Sequence, residues 1–127
     1  MRKLTEADCE FTIRVLPEDI PVRGNAIVSG DDEYDREIED KILADLEWNQ
    51  WAWCCVQVTA TFEGMTGNDY LSACSYRDEE DFKTGGYWED MKAQAMGEIQ
   101  EQLDAAVKAL GNHSIPSWCY PPRTYQF

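Results

Sequence analysis

Trp51-Ala52-Trp53-Cys54-Cys55-Val56-Gln57-Val58-Thr59-Ala60-Thr61-Phe62 is the segment most committed to one conformation. It is rich in β-branched and aromatic residues, and its apolar positions alternate, as a strand with one buried face requires. Glu63-Gly64-Met65-Thr66-Gly67-Asn68 reads as a turn, and residues 69–76 return as a second strand. The pair is a hairpin with a loop of roughly five residues. With Phe62 opposite Asp69, Val56, Val58, Ala60, Leu71 and Ala73 share a core face. The opposite face then carries Trp51, Trp53, Gln57, Thr59, Tyr70, Ser72 and Tyr76, a mixed aromatic and hydroxyl surface. Slipping the register by one residue would change every cross-strand neighbour in that assignment.

Upstream, Phe11, Ile13 and Val15 alternate with Glu10, Thr12 and Arg14, which predicts another half-buried strand over 9–16, ended by Pro17. Residues 21–30 have glycine and asparagine punctuation and no helical period, so they read as an ordered loop, with Val22, Ile27 and Val28 burying part of it. A helix is expected from about Asp32 to Glu47. Ser29, Asp31 and Asp32 offer N-cap oxygens, and Tyr34, Ile38, Ile42 and Leu46, with Leu43, form its apolar stripe. Residues 77–83 predict a single helical turn stopped by Gly85-Gly86. A long helix follows over 87–110. Its stripe is Trp88, Met91, Ala95, Ile99, Leu103, Ala106, Val107 and Leu110, and Gly111-Asn112 is its stop. The tail from Pro116 is too proline-rich for regular structure. Its Trp118, Tyr120, Tyr125 and Phe127 are expected to pack on the body. The order β-α-β-β-α predicts one α+β domain, a two-layer sandwich with a three-stranded sheet and two helices on one face.

Twenty-five acidic residues oppose 11 basic ones, a net charge of −14. With 43% hydrophobic residues and five tryptophans the chain can bury a core, which sets it apart from disordered acidic tails. A field of this sign repels phosphate, so direct binding to nucleic acid or an anionic membrane is disfavoured. No apolar run reaches membrane-spanning length, and the N-terminus turns acidic before any apolar stretch. The expectation is a cytoplasmic protein.

The chemistry-bearing residues are sparse. Cys9, Cys54, Cys55, Cys74 and Cys119 contain no Cys-x-x-Cys spacing for a metal, and the only histidine, His113, sits in a Gly-Asn-His-Ser turn. No catalytic motif is present, and no cofactor or metal is expected. The carboxylates are dense instead: nine acids against two bases over 31–47, half of the net charge. Like-charge pairs at i,i+4 cost helix stability, so a solvated face, a partner-binding face and a cation site all compete to explain them. An anion site at Ser29-Gly30 is opposed by Asp31 and Asp32, and no Gly-Lys-Ser/Thr loop exists.

Pro17-Glu18-Asp19-Ile20-Pro21-Val22-Arg23-Gly24-Asn25-Ala26, Ser29-Gly30-Asp31-Asp32, Trp51-Ala52-Trp53 and Asp69-Tyr70-Leu71 resemble small acidic proteins of bacteriophages and mobile elements. That group has no settled activity, so the resemblance carries no catalytic residue. By class analogy it implies an anti-CRISPR or anti-restriction inhibitor acting in the host cytoplasm. The expected partner is the basic nucleic-acid-binding surface of a host defence complex, contacted by Asp32, Asp35, Glu37, Glu39, Asp40, Asp45, Glu47, Asp78, Glu79, Glu80 and Asp81. Charge reversal at Glu37, Asp40 and Asp45 should then abolish inhibition. The alternative is a small-molecule or enzymatic site built from Arg23, Asn25, Trp51, Trp53 and Tyr70. A homodimer formed through the hairpin is a further option.

Overall fold

A computed structural model describes residues 3–110. The elements are β1 (Glu10–Leu16), α1 (Asp32–Leu46), β2 (Cys54–Phe62), β3 (Met65–Cys74), α2 (Glu79–Thr84) and α3 (Tyr87–Leu110). Short 3-10 turns occupy Glu6–Asp8 and Gln50–Ala52. The three strands form one antiparallel sheet in the order β1-β2-β3. The α+β class and the element order follow the sequence reading. The expected stop at Gly111-Asn112, His113, Cys119 and the aromatic tail lie outside the described residues.

The hairpin is tighter than expected. Its turn is Glu63-Gly64 alone, both at positive φ (49° and 80°), the backbone that two-residue hairpins favour. The strand therefore resumes at Met65, not Asp69. This register sets Thr59 opposite Asn68 and Gln57 opposite Tyr70. Both pairs are joined by side-chain hydrogen bonds, Thr59 Oγ1 to Asn68 Oδ1 at 2.6 Å and Gln57 Nε2 to the Tyr70 hydroxyl at 3.1 Å. Cys54, Val56, Val58, Ala60 and Phe62 point inward, as alternation requires. Ala73 does not join them. It adopts φ 56° and is exposed, and the next residue, Cys74, is buried in its place. Such a local break in alternation is how a bulge re-aims a strand.

The structure divides into two compact units. The first comprises described residues 3–12, 58–69 and 89–110. Its core is Ala60, Phe62, Ala95, Ile99 and Leu103, with Leu4, Cys9, Phe11, Met65 and Met96 packed around it. The α3 stripe is the one the 3.6-residue period predicts. Gly67 explains the missed start of β3. A Cβ there would meet the Ala95 carbonyl oxygen at 2.0 Å, so the glycine marks where helix and strand backbones touch. Lys92 is buried among these apolar groups. Its Nζ pairs with Glu6 at 2.8 Å and Glu89 at 3.1 Å. Burial pulls the ammonium's pKa down, but the two carboxylates outweigh it and the pKa lies above its ordinary value.

The second unit comprises residues 13–57 and 70–88. Phe82, wholly buried on α2, is ringed by Trp51, Tyr76 and Trp88 at centroid distances of 5.9, 5.4 and 6.3 Å. The Asp78 side chain caps α2 by accepting from Asp81 N at 2.9 Å. In α1 the Asp31 side chain accepts from Tyr34 N at 3.1 Å. Two features depart from expectation. Trp51 lies in a 3-10 turn and Trp53 is 5% exposed, so neither belongs to an outer sheet surface. In the loop, Val22 is buried as expected and Val28 is exposed.

Candidate partner-binding surface

The inward face of α1 is partly acidic. Asp35 and Glu39, expected on the partner-binding face, are only 9% and 8% exposed, whereas Tyr34 and Leu43 of the expected apolar stripe are exposed. The reason is the loop before the helix, whose backbone donors need acceptors. Asp35 accepts from Ser29 Oγ at 2.6 Å and from Ser29 N at 3.1 Å. Glu39 accepts from Gly24 N at 2.8 Å and from Arg23 at 3.0 Å. The Gly24 N–H, then Arg23, hold the Glu39 carboxyl below its usual range. These two acids strap residues 22–30 to the helix and are not free to meet a partner. Their spacing, 35 and 39 in phase with Ile42 and Leu46, was the available signal; their charge concealed it.

The remaining acids of the expected surface divide by what they touch. Asp40 pairs with Arg23, and Asp45 pairs with Lys41 at 2.9 Å. Asp81 accepts from Arg77 N at 2.9 Å, and that N–H, followed by the Arg77 guanidinium, lowers its pKa. Asp78 is the α2 cap, and Glu79 pairs with Lys83 at 3.3 Å. Asp32, Glu37, Glu47 and Glu80 are exposed. At 100° per residue, Glu33, Glu37, Asp40, Ala44 and Glu47 fall within about 80° of arc and extend along about 21 Å of helix. All five are exposed. Four of the five are acidic, with Ala44 between Asp40 and Glu47 and the exposed Arg36 at the ridge's edge, and this ridge is the outer acidic face of α1.

Beside the ridge, between the C-terminal half of α1 and the start of α2, runs a groove of about 480 Å³. Lys41, Ile42, Asp45, Trp48, Tyr76 and Arg77 contribute to its lining. Trp48 is 75% exposed. Sequence reasoning passed over it because it falls just beyond the helix and outside both apolar stripes.

The residues of the small-molecule alternative are each engaged within the fold. Arg23 is held by Glu39 and Asp40. Asn25 Nδ2 donates to the Pro21 and Arg23 carbonyls at 2.9 and 3.2 Å. Trp53 Nε1 donates to Ile20 O at 2.7 Å, Trp51 belongs to the Phe82 cluster, and Tyr70 is bonded to Gln57. A cavity of about 410 Å³ does lie at the loop, but Asp32, Asp35 and Glu39 line it. Among the described residues no group of three or more His, Cys, Asp or Glu is placed to hold a metal ion. Cys9, Cys54, Cys55 and Cys74 are free thiols, and burial pushes Cys54 up to about 12 and Cys74 up to about 11. Thiolate chemistry at those two positions is thereby suppressed. No helix among the described residues is long and apolar enough to cross a membrane. Comparison of the chain with known protein families, with curated proteins and with solved structures gives no match.

Proposed function

We propose that this chain is a small acidic, non-enzymatic inhibitor of a nucleic-acid-handling defence complex, of the anti-CRISPR or anti-restriction type. In this reading the outer ridge of α1 occupies the partner's basic groove in place of nucleic-acid phosphates. The observation that carries it is the ridge itself. Glu33, Glu37 and Glu47 are exposed and make no ion pair among the described residues; of the nearby cations Arg23 and Lys41 are already paired, and Arg36 stands exposed at the ridge's edge. Crowding like charges on one helix face lowers its stability. The same crowding speeds docking onto a basic surface and makes it salt-dependent. The structure also improves the test. Asp40 and Asp45 hold cations of their own chain, so reversing them would disturb the loop and the helix together with any interface.

The informative variant is therefore Glu33→Gln/Glu37→Gln/Glu47→Gln. Tagged wild-type protein should capture one stoichiometric nucleic-acid-handling complex from lysates and inhibit it, with release by salt or competing DNA. The triple variant should keep its circular dichroism spectrum and lose capture and inhibition. A folded triple variant that inhibits like wild type would remove α1 from the mechanism.

A further inference from the structure

Trp48 and the groove beside it extend this reading, and the inference rests on it. The chain continues to turn beyond Leu46, with Trp48 N donating to Asp45 O at 3.1 Å, so Trp48 prolongs the outer flank of α1. One turn earlier stands Ala44, whose side chain is too small to cover an indole. Among the described residues the Trp48 indole N–H makes no hydrogen bond and its ring meets no other ring. The groove it borders has Ile42 and Tyr76 in its lining, and its two cations, Lys41 and Arg77, are already engaged by Asp45 and Asp81. A bare aromatic face beside an acidic ridge, with local cations neutralised, is complementary to a planar cation. Tryptophan is the best ring for such contacts and a preferred interface anchor. Arginine, which stacks on rings and forks onto carboxylates, uses that pairing better than lysine does.

We infer that Trp48 anchors the partner contact by stacking an arginine guanidinium of the basic surface, with Glu47 as the neighbouring carboxylate. The acidic ridge supplies attraction, and Trp48 supplies preference for arginine over lysine. The probes are deca-arginine and deca-lysine peptides, titrated calorimetrically at low salt against wild type, Trp48→Phe and Trp48→Ala. Wild type should favour the arginine peptide by about 3-fold, the weight of one exposed cation–π contact. Trp48→Phe should keep part of that preference. Trp48→Ala should cut it to the remainder that carboxylate pairing alone gives, and should weaken the arginine peptide more than the lysine peptide. Equal affinity for both peptides, or a preference undiminished in Trp48→Ala, overturns the inference and leaves the acidic-ridge reading intact. Loss of both affinities in Trp48→Ala overturns the arginine assignment. Failure of either peptide to bind wild type at low salt defeats the ridge reading as well.

Discussion

Gly67→Ala is the sharpest probe of the architecture, because the structure fixes what the added methyl would strike. Its carbon would lie 2.0 Å from the Ala95 carbonyl oxygen, 3.0 Å from the Ala95 carbonyl carbon and 3.0 Å from Glu98 Cβ. The first contact is more than 1 Å inside ordinary van der Waals distance, about 3.4–4 Å. The obstacle is helix backbone, so no rotamer change relieves it. Either α3 lifts from its buried stripe of Ala95, Ile99 and Leu103, or β3 bends away. Overpacking of this kind costs about 1–3 kcal/mol, and a backbone obstacle belongs at the upper end. Restricting the unfolded chain returns up to about 1 kcal/mol. A net loss of about 2 kcal/mol corresponds to a fall in melting temperature of about 8 °C for a chain of this size. Gly97→Ala is the internal control. It lies in α3 with nothing within 4 Å of the added Cβ, so it should stabilise by about 0.5–1 kcal/mol. Urea and thermal unfolding followed by circular dichroism measure both. A Gly67→Ala protein as stable as wild type would refute the passage of β3 beneath Ala95, and with it the early start of that strand.

Three further outcomes are expected. The Glu39 carboxyl is held below its ordinary 4.5 by Gly24 N–H and Arg23, so its stabilising contribution is complete above about pH 4.5 and lost as pH falls through the folded value. The stability gap between wild type and Glu39→Gln, from urea curves, should stay level from about pH 7 to 5 and narrow below; a gap that widens on acidification contradicts the loop strap. In native protein at pH 8, peptide mapping after alkylation should find Cys54 and Cys74 unmodified and Cys55 modified, because the first two are buried with raised pKa values. Glu98 Oε1 accepts from Asn68 N at 2.8 Å, and Gln102 Nε2 donates to Thr66 O at 2.9 Å, which covers backbone groups of edge strand β3. Glu98→Ala/Gln102→Ala should therefore show concentration-dependent association by sedimentation where wild type does not, since an uncovered edge invites strand pairing.

The regular elements were legible because their periods were clean. Phe11-Ile13-Val15 alternates, and Met91-Ala95-Ile99-Leu103 repeats at helical spacing, so β1 and α3 lie where the pattern puts them. The start of β3 was not legible, because two glycines around Met65-Thr66 imitate a longer turn. Gly67 owes its place to close approach of a helix, which no local rule reports. On α1, charge masked position: Asp35 and Glu39 occupy buried places because the loop amides of Ser29 and Gly24, 6 and 15 residues upstream, need acceptors. Trp51 and Trp53 continued the strand's alternation on paper, yet a 3-10 turn and the Phe82 cluster claim the first, and the Ile20 carbonyl claims the second. The acidic ridge itself was plain from composition. Its division into structural and exposed carboxylates required the fold.

In the proposed mode of action α1 stands in for nucleic acid on a basic partner surface. Competition against a fluorescent DNA duplex on a panel of purified CRISPR effectors and restriction enzymes, followed by anisotropy, tests it directly. Wild-type protein should displace the duplex from at least one of them. Displacement should weaken as salt rises and disappear with Glu33→Gln/Glu37→Gln/Glu47→Gln. An inhibited enzyme that holds duplex and protein together, or a triple variant that displaces as well as wild type, would contradict it.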